Sequence, residues 1–330
     1  MTDGDFPYLS PSLDAVEGIA HARISCWVHC LRDSLYADGF RDTARALAQP
    51  LDFAVEHTAE GELLTLYGGL ETEYHEPRFQ RGVTARWETS PDSPEHALDL
   101  VERELARGHA VPVSPDLSGM RHSEFYRVPW FGYPHTFLVH RLGPDTVGAA
   151  DRNTRRSSGF TDNRGTVPTE ELRRGLAGAP VLVWDTGAPV ADWADERHAL
   201  LTRSVRSMTE PQSPHQGLAG LSTLPDVLAG LAEHPSRSSV LRMRVSGPLQ
   251  RQVAGDRHLL AAVLAQEAAP GARETAELLR ASSDGFVELA RLVFLLGRSW
   301  SAETLDLCRE RAARLHDVDA RAVEGIAALL

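Results

Sequence analysis

Lysine is missing from this chain: all 34 basic residues are arginine. That excludes Schiff-base chemistry on a lysine amine. Cysteine is nearly missing. The three present, Cys26, Cys30 and Cys308, cannot build a disulfide framework and fit a reducing compartment. Long hydrophobic runs are lacking as well, and no stretch approaches the ~20 uncharged apolar residues of a membrane span. The opening Met1-Thr2-Asp3-Gly4-Asp5 has neither the basic nor the apolar region of a signal peptide, so the expected location is cytoplasmic. Positive charge is in deficit overall, at a formal −12, which argues against nucleic acid as a partner.

What is there divides in two. A chain of 330 residues is long for one ordinary core, so two domains are expected. Up to about Gly187 the pattern is a helix first and then antiparallel strands. A helix from Cys26 to about Gly39 repeats Trp27, Leu31 and Leu35 at four-residue spacing. Pro94 to Arg107 is a second helix with Ala97, Leu98, Val101 and Leu105 inside. Strands are expected at Ala110–Val113, Thr136–Leu142, Thr146–Ala150 and Val181–Trp184, the middle two turning at Gly143-Pro144-Asp145. Beyond Gly187 helical segments dominate: Asp195–Met208, Leu218–Ala232, His258–Ala268, Ala272–Leu296 and Ala302–Ala313. The fourth of these carries Ser282-Ser283-Asp284-Gly285, where a break is expected. The fold class is therefore α+β over 1–186, followed by an all-helical domain over 187–330.

Cys26 stands out chemically. Ser25 before it is a good N-cap, which sets Cys26 at the first helical position. Free backbone N–H groups and the helix dipole favour a thiolate there. The alternative is a buried helix cysteine of no reactivity, since free cysteine is among the most buried residue types. A thiolate nucleophile needs a base, and the base needs an orienting partner. His135 precedes the first strand of the hairpin and Asp151 ends the second. With Gly143 at the hairpin's centre, His135 faces Asp151 directly and on the same side. A shift of one residue would separate them onto opposite faces. The backbone N–H of Cys26 is then a candidate oxyanion donor. His140 is a rival base, but lies an odd number of residues from His135 and so faces the other side.

Other residues carry weaker signals. Cys30, one turn along, reads as a small core residue; a zinc site with Cys26 and His21 or His29 lacks a second cluster to complete it. Cys308 reads as structural. Gly68-Gly69 after Tyr67 lets backbone approach a ligand closely. Asp116 either forms a turn or anchors an acceptor amine. Trp130 and Tyr133 make an aromatic surround for His135. Ser25, Tyr67, Gly68, Gly69, Asp116, Trp130 and Tyr133 are the substrate-binding candidates. Arg152, Arg155 and Arg156 begin a locally basic stretch in an acidic chain, suited to an acidic partner bearing a phosphate.

A helix-borne cysteine followed by a strand-borne histidine and a strand-end acid is the order of papain-like enzymes. More specifically, residues 21–185 resemble the N-terminal domain of the butirosin-biosynthesis BtrH family. The matching pieces run from Ser25 to Leu35, Leu66 to Leu70, Ala110 to Val113 leading to Asp116-Leu117, Pro134 to Val139, and Val147 to Asp151. The helical remainder looks like the domain that often follows. The chain departs from the family at Ser25, where histidine is usual. The resemblance implies a papain-like fold and acyl transfer from a carrier-protein thioester to an amine of an aminoglycoside. Cys26 would be the nucleophile, His135 the base and Asp151 the third member. No metal or organic cofactor is required. The implied partners are an acyl or peptidyl carrier protein and a small amine acceptor, with the helical domain covering the cleft, docking the carrier or building a homodimer. A thioesterase, amidase or peptidase, a cyclising release enzyme, and a non-catalytic binding module are the alternatives on the same residues.

Overall fold

The computed structural model describes residues 26–39, 43–57, 64–67, 84–89, 94–116, 120–121, 135–151, 160–161, 164–177, 180–185 and 193–330. Among them helices and an antiparallel sheet combine, as the α+β expectation requires. The first helix, α1, spans Cys26–Ala37, and a short α2 spans Thr43–Leu47. Strand β1 (Ala54–His57) pairs antiparallel with β2 (Leu64–Tyr67). Seven further strands form the main sheet: β3 (Thr84–Thr89), β4 (Val111–Val113), β5 (Phe137–Leu142), β6 (Thr146–Ala150), β7 (Phe160–Thr161), β8 (Arg164–Pro168) and β9 (Pro180–Asp185). Their order across the sheet is β3-β9-β4-β5-β6-β8-β7, every pair antiparallel.

Strand alternation explains how both faces are covered. Phe137 and Val139 of β5 join Val111, Val113, Val147, Ala149 and Val181 in one apolar cluster. The helix Pro94–Ala106 (α3) closes that cluster with Ala97, Leu98, Leu100 and Val101. A second short helix, Thr169–Gly175 (α4), adds Leu172. Leu138 and Ala150 point the other way and meet Cys30 of α1. The sheet therefore lies between α3 and α1, and the N-terminal helix is fixed against the two central strands.

Sheet elements end at Asp185 and helices begin at Trp193. These are α5 (Trp193–Thr209), α6 (Gly217–Gly230), α7 (Ala254–Leu264), α8 (Ala272–Arg298) and α9 (Ala302–Ala327). Before α7 run two wider, π-helical segments, π1 (Val240–Ser246) and π2 (Leu249–Val253). Pro248, just after π1, accounts for the looser winding of π1. A proline inside a helix has no N–H and its ring crowds the carbonyl four residues back, so a looser winding relieves the clash. α8 continues unbroken through Ser282-Ser283-Asp284-Gly285, against the sequence expectation. Those small residues serve close helix packing. The Ser282 hydroxyl donates to Asp319, Ser283 donates to the Ala254 carbonyl (2.9 Å), and Gly285 lies against Leu315.

The largest apolar core crosses from the first helices into the helical layer. It contains Trp27, Val28, Leu31, Leu47, Leu51 and Phe53 together with Leu249, Val253, Leu260, Phe286 and Leu289. Backbone bonds tie the same segments: Gly217 N–H donates to the Phe53 carbonyl (2.7 Å) and Val55 N–H to that of His215 (2.9 Å). Gly217 has φ +57, and a Cβ there would sit 2.5 Å from the Met208 carbonyl oxygen, so only glycine fits. At the centre is a fully buried ion pair. Arg257 of α7 places Nε 3.1 and 3.2 Å from the two oxygens of Asp319 on α9. Its guanidinium also stacks on Phe286 at 4.5 Å and donates to the Asp52 carbonyl at 3.4 Å. Asp319→Ala strands a buried cation and is expected to cost about 3–5 kcal/mol. Urea unfolding measures it; a loss below about 1 kcal/mol would mean that the pair is not what fixes the helical layer.

Candidate active site

The site grows from the start of α1. Cys26 is its first helical residue, so the N–H groups of the first turn have no intrahelical acceptor and the positive end of the helix dipole lies at the thiol. Cys26 is partly exposed, unlike Cys30 and Cys308, which are buried. The helix is held in place by its far side. Cys30 donates to the Thr136 carbonyl at 3.6 Å, and the Ser34 hydroxyl donates to the Ala110 carbonyl. Both acceptors belong to the ends of neighbouring strands. The segment that precedes β5 is thereby fastened along α1.

His135 and Asp151 lie where that fastening puts them. Thr136 N–H donates to the Cys26 sulfur at 3.3 Å. The Thr136 hydroxyl shares a 2.6 Å hydrogen bond with that of Ser114, which pins the residue to the end of β4. His135, one residue earlier, is hydrogen-bonded to the Cys26 thiol. Its Nε2 lies 2.9 Å from Asp151 Oδ2, with both side chains buried. Nε2 being engaged, Nδ1 is the nitrogen left for the thiol. The three residues singled out in the sequence are together in space.

Their register is not the one expected. The turn pairs Leu142 with Val147 and Arg141 with Gly148, whereas farther along Val139 pairs with Ala149 and Leu138 with Ala150. His140 is the extra residue of a β-bulge. Continuing the outer register sets Asp151 opposite Phe137, so His135 is its diagonal neighbour and not its direct partner. The bulge is what makes this work. Without it the turn's register would run on to pair Leu138 with Asp151, and Asp151 would fall on the face opposite His135. Gly148 permits the bulge: a Cβ there would lie 2.7 Å from His140 Cε1. His140 is thus part of the geometry that sets His135 beside Asp151, and it rests against Gly148 of β6.

Charge explains how a thiolate survives here. Burial pushes the Cys26 thiol up. The hydrogen bond to His135, the imidazolium charge, the Thr136 N–H and the charge of Arg251 pull it down, and the net shift is downward. Burial alone would push His135 down, but Asp151 first and Cys26 second raise it to about 10. Both shifts favour the thiolate–imidazolium form of the pair over the neutral one. Cys308 is the contrast: with burial and no compensating cation, its thiol is pushed up to about 11.

Two participants were invisible in the sequence. Thr136 acts through its backbone and a hydroxyl bond, which residue type does not announce. Arg251 sits on π2, more than two hundred positions from Cys26, and no local motif marks it. Of the remaining candidates, Asp116 is exposed, and its N–H donates to the Gly175 carbonyl at 2.8 Å. Tyr67 ends β2. Ser25, Gly68, Gly69, Trp130, Tyr133, Arg152, Arg155 and Arg156 lie outside the described residues, as does His21. Among the described residues no group of three or more His, Cys, Asp or Glu is placed to hold a metal ion, and no helix is long and apolar enough to cross a membrane.

No protein-family model matches the chain, and no curated protein matches it.

The electrostatics predict two titrations. Iodoacetamide alkylation of Cys26 is expected to rise through a midpoint below that of an ordinary thiol, and His135→Gln is expected to move it up, because burial then acts with less opposition. The His135 imidazole is expected to titrate near pH 10 by NMR, and Asp151→Asn to lower that value. A wild-type midpoint at or above the ordinary thiol value would contradict the ion pair. Gly148→Val should displace His140 and slow alkylation about 10–100-fold, the scale of an ångström-sized misplacement. An alkylation rate equal to wild type, with the fold confirmed by circular dichroism, would show that the bulge does not position His135.

Proposed function

We propose that the protein is a cysteine-dependent acyltransferase with a papain-like domain. The observation that carries this reading is the hydrogen-bonded line from Cys26 through His135 to Asp151, with the thiol at a helix start and lowered in pKa. A helix bearing the nucleophile, packed on an antiparallel sheet whose hairpin bears the base and its orienter, is what a papain-like arrangement needs. The sequence resemblance to the BtrH family supports a carrier-protein thioester as donor and an amine as acceptor.

The chemistry follows from the charges. The Cys26 thiolate attacks the thioester carbonyl carbon, and the oxyanion finds the free N–H groups of the first turn of α1. The carbonyl carbon–sulfur bond to the carrier breaks, and the His135 imidazolium gives its proton to the departing thiolate. Acylation removes the Cys26 negative charge, one of the causes that hold His135 up. The neutral imidazole then takes a proton from the attacking amine. An amide forms, the bond to Cys26 breaks, and the thiolate–imidazolium pair is restored. Asp151 keeps its charge throughout and holds the ring. The chain's own groups account for every proton moved, in a setting expected to be cytoplasmic.

Intact mass after mixing with an acyl carrier-protein thioester tests this reading. Wild type is expected to gain one acyl group and Cys26→Ala none. Adding amines is expected to discharge the adduct as an amide; discharge equally fast in water alone would make the enzyme a hydrolase. If no adduct forms across a broad acyl panel and alkylating reagents ignore Cys26, the chain is not a cysteine enzyme.

A further inference from the structure

Two sulfurs of α1 meet the same residue of the sheet. Thr136 N–H donates to the Cys26 sulfur at 3.3 Å, and the Cys30 thiol donates to the Thr136 carbonyl at 3.6 Å. Both cysteines therefore point from one face of the helix toward one spot. They are one turn apart, and helix geometry sets their Cα atoms about 6 Å from each other, within the range that a disulfide spans. Their Cβ atoms, at the usual spacing for such neighbours, exceed the ~4 Å of a relaxed disulfide by about 1–2 Å. Cys26 has the freedom to close that gap. It is the first helical residue, its N–H is outside the intrahelical ladder, and helix ends fray.

The two thiols differ in access. Cys26 is partly exposed and Cys30 is buried. Oxidants attack the thiolate, and the Cys26 thiol is the one whose pKa is pulled down. The third cysteine, Cys308, is buried on α9 with its thiol pushed up to about 11, so it does not compete.

We propose that Cys26 and Cys30 form a redox switch, in which a hydroperoxide oxidises Cys26 and Cys30 resolves the product as a reversible disulfide. The Cys26 thiolate attacks one peroxide oxygen. An S–O bond forms, the O–O bond breaks, and the leaving oxygen takes a proton and departs as water. Cys26 is then a sulfenic acid, two electrons poorer. The Cys30 sulfur attacks the Cys26 sulfur; the Cys30 proton and the sulfenic hydroxyl leave as a second water, and the S–S bond closes. The thiol proton and the sulfur charge that make the two hydrogen bonds to Thr136 are lost in the same event. The segment carrying His135 is thus unfastened as the nucleophile is consumed. So short a ring gains little stability from closure, and strained disulfides are the easily reduced, regulatory kind. This suits the reducing compartment expected from the composition, where disulfides are transient and redox-sensing. The switch rests on the reading of Cys26 as a reactive thiol, and not on the identity of the acyl group.

The test treats the full chain with a small excess of hydrogen peroxide, blocks the remaining thiols with N-ethylmaleimide in denaturant, and digests with trypsin. Arg23 and Arg32 flank both cysteines with no basic cleavage site between them, so residues 24–32 emerge as one peptide. Wild type is expected to give that peptide unblocked and short of two hydrogens. Dithiothreitol is expected to restore iodoacetamide alkylation of Cys26 to within about twofold of the untreated rate. Cys30→Ser is expected to give the sulfinic acid instead, two oxygens heavier, with alkylation down about tenfold or more and not restored. A wild-type peptide that gains oxygen as the Cys30→Ser peptide does overturns the proposal. So does a disulfide to Cys308 or between two chains, or a peptide left unoxidised although iodoacetamide alkylates Cys26. The wild-type mass decides by itself, so the outcome stands even where circular dichroism shows Cys30→Ser unfolded. A chain that forms the disulfide but takes no acyl group from any thioester would lose the transferase reading and keep the switch.

Discussion

The Arg257–Asp319 pair is the constraint on which the rest of the molecule hangs. A guanidinium and a carboxylate with no solvent contact cannot be left half-satisfied. Meeting that demand brings α7, α8 and α9 to one point, with Ser282 supplying a hydroxyl and Phe286 a ring face. The same guanidinium reaches the Asp52 carbonyl, in the segment between α2 and β1. The helical layer is thereby keyed to the N-terminal helices, and α1 is keyed to the sheet through Cys30 and Ser34. Arg251 lies less than two turns from Arg257 on the same rod. The charge that helps lower the Cys26 thiol is thus carried by the same rod as the buried ion pair.

The site itself is a balance of opposed effects. Burial disfavours both the thiolate and the imidazolium when each is taken alone. Together, and with Asp151 behind the ring, they stabilise each other, so the charged form is a property of the group and not of Cys26. In the proposed acyl transfer the same coupling would order the cycle. Each step that changed the charge of the sulfur would change the basicity of the imidazole in the direction the next step requires.

Much of this was legible in the sequence. Cys26 could be placed at a helix start because Ser25 and the four-residue apolar spacing say so. His135 and Asp151 could be paired because strand parity is countable. The register was not readable, because a bulge depends on how His140 meets Gly148 across the hairpin, which neither residue type signals. Ser282-Ser283-Asp284-Gly285 reads locally as a breaker, yet it serves where another helix must approach closely. Strands β1, β2, β3, β7 and β8 were not read, β8 for a related reason: Arg164–Pro168 holds both Gly and Pro, and only its partner strand keeps it extended. Arg251 and Thr136 act through tertiary position alone. The helical class of the second half was plain; that one of its charges would act on Cys26 was not.

The bulge at His140 also limits how the hairpin can vary. The turn by itself is out of phase with the pair it supports, and one additional residue in one strand corrects the phase. Loss of that residue would have to be matched by another odd change between His135 and Asp151, whereas adding one residue to each strand leaves the alignment intact. The hairpin therefore works as a parity check on its own length: insertions and deletions survive in matched pairs, and a lone one disconnects His135 from Asp151 while leaving every other strand of the sheet in place.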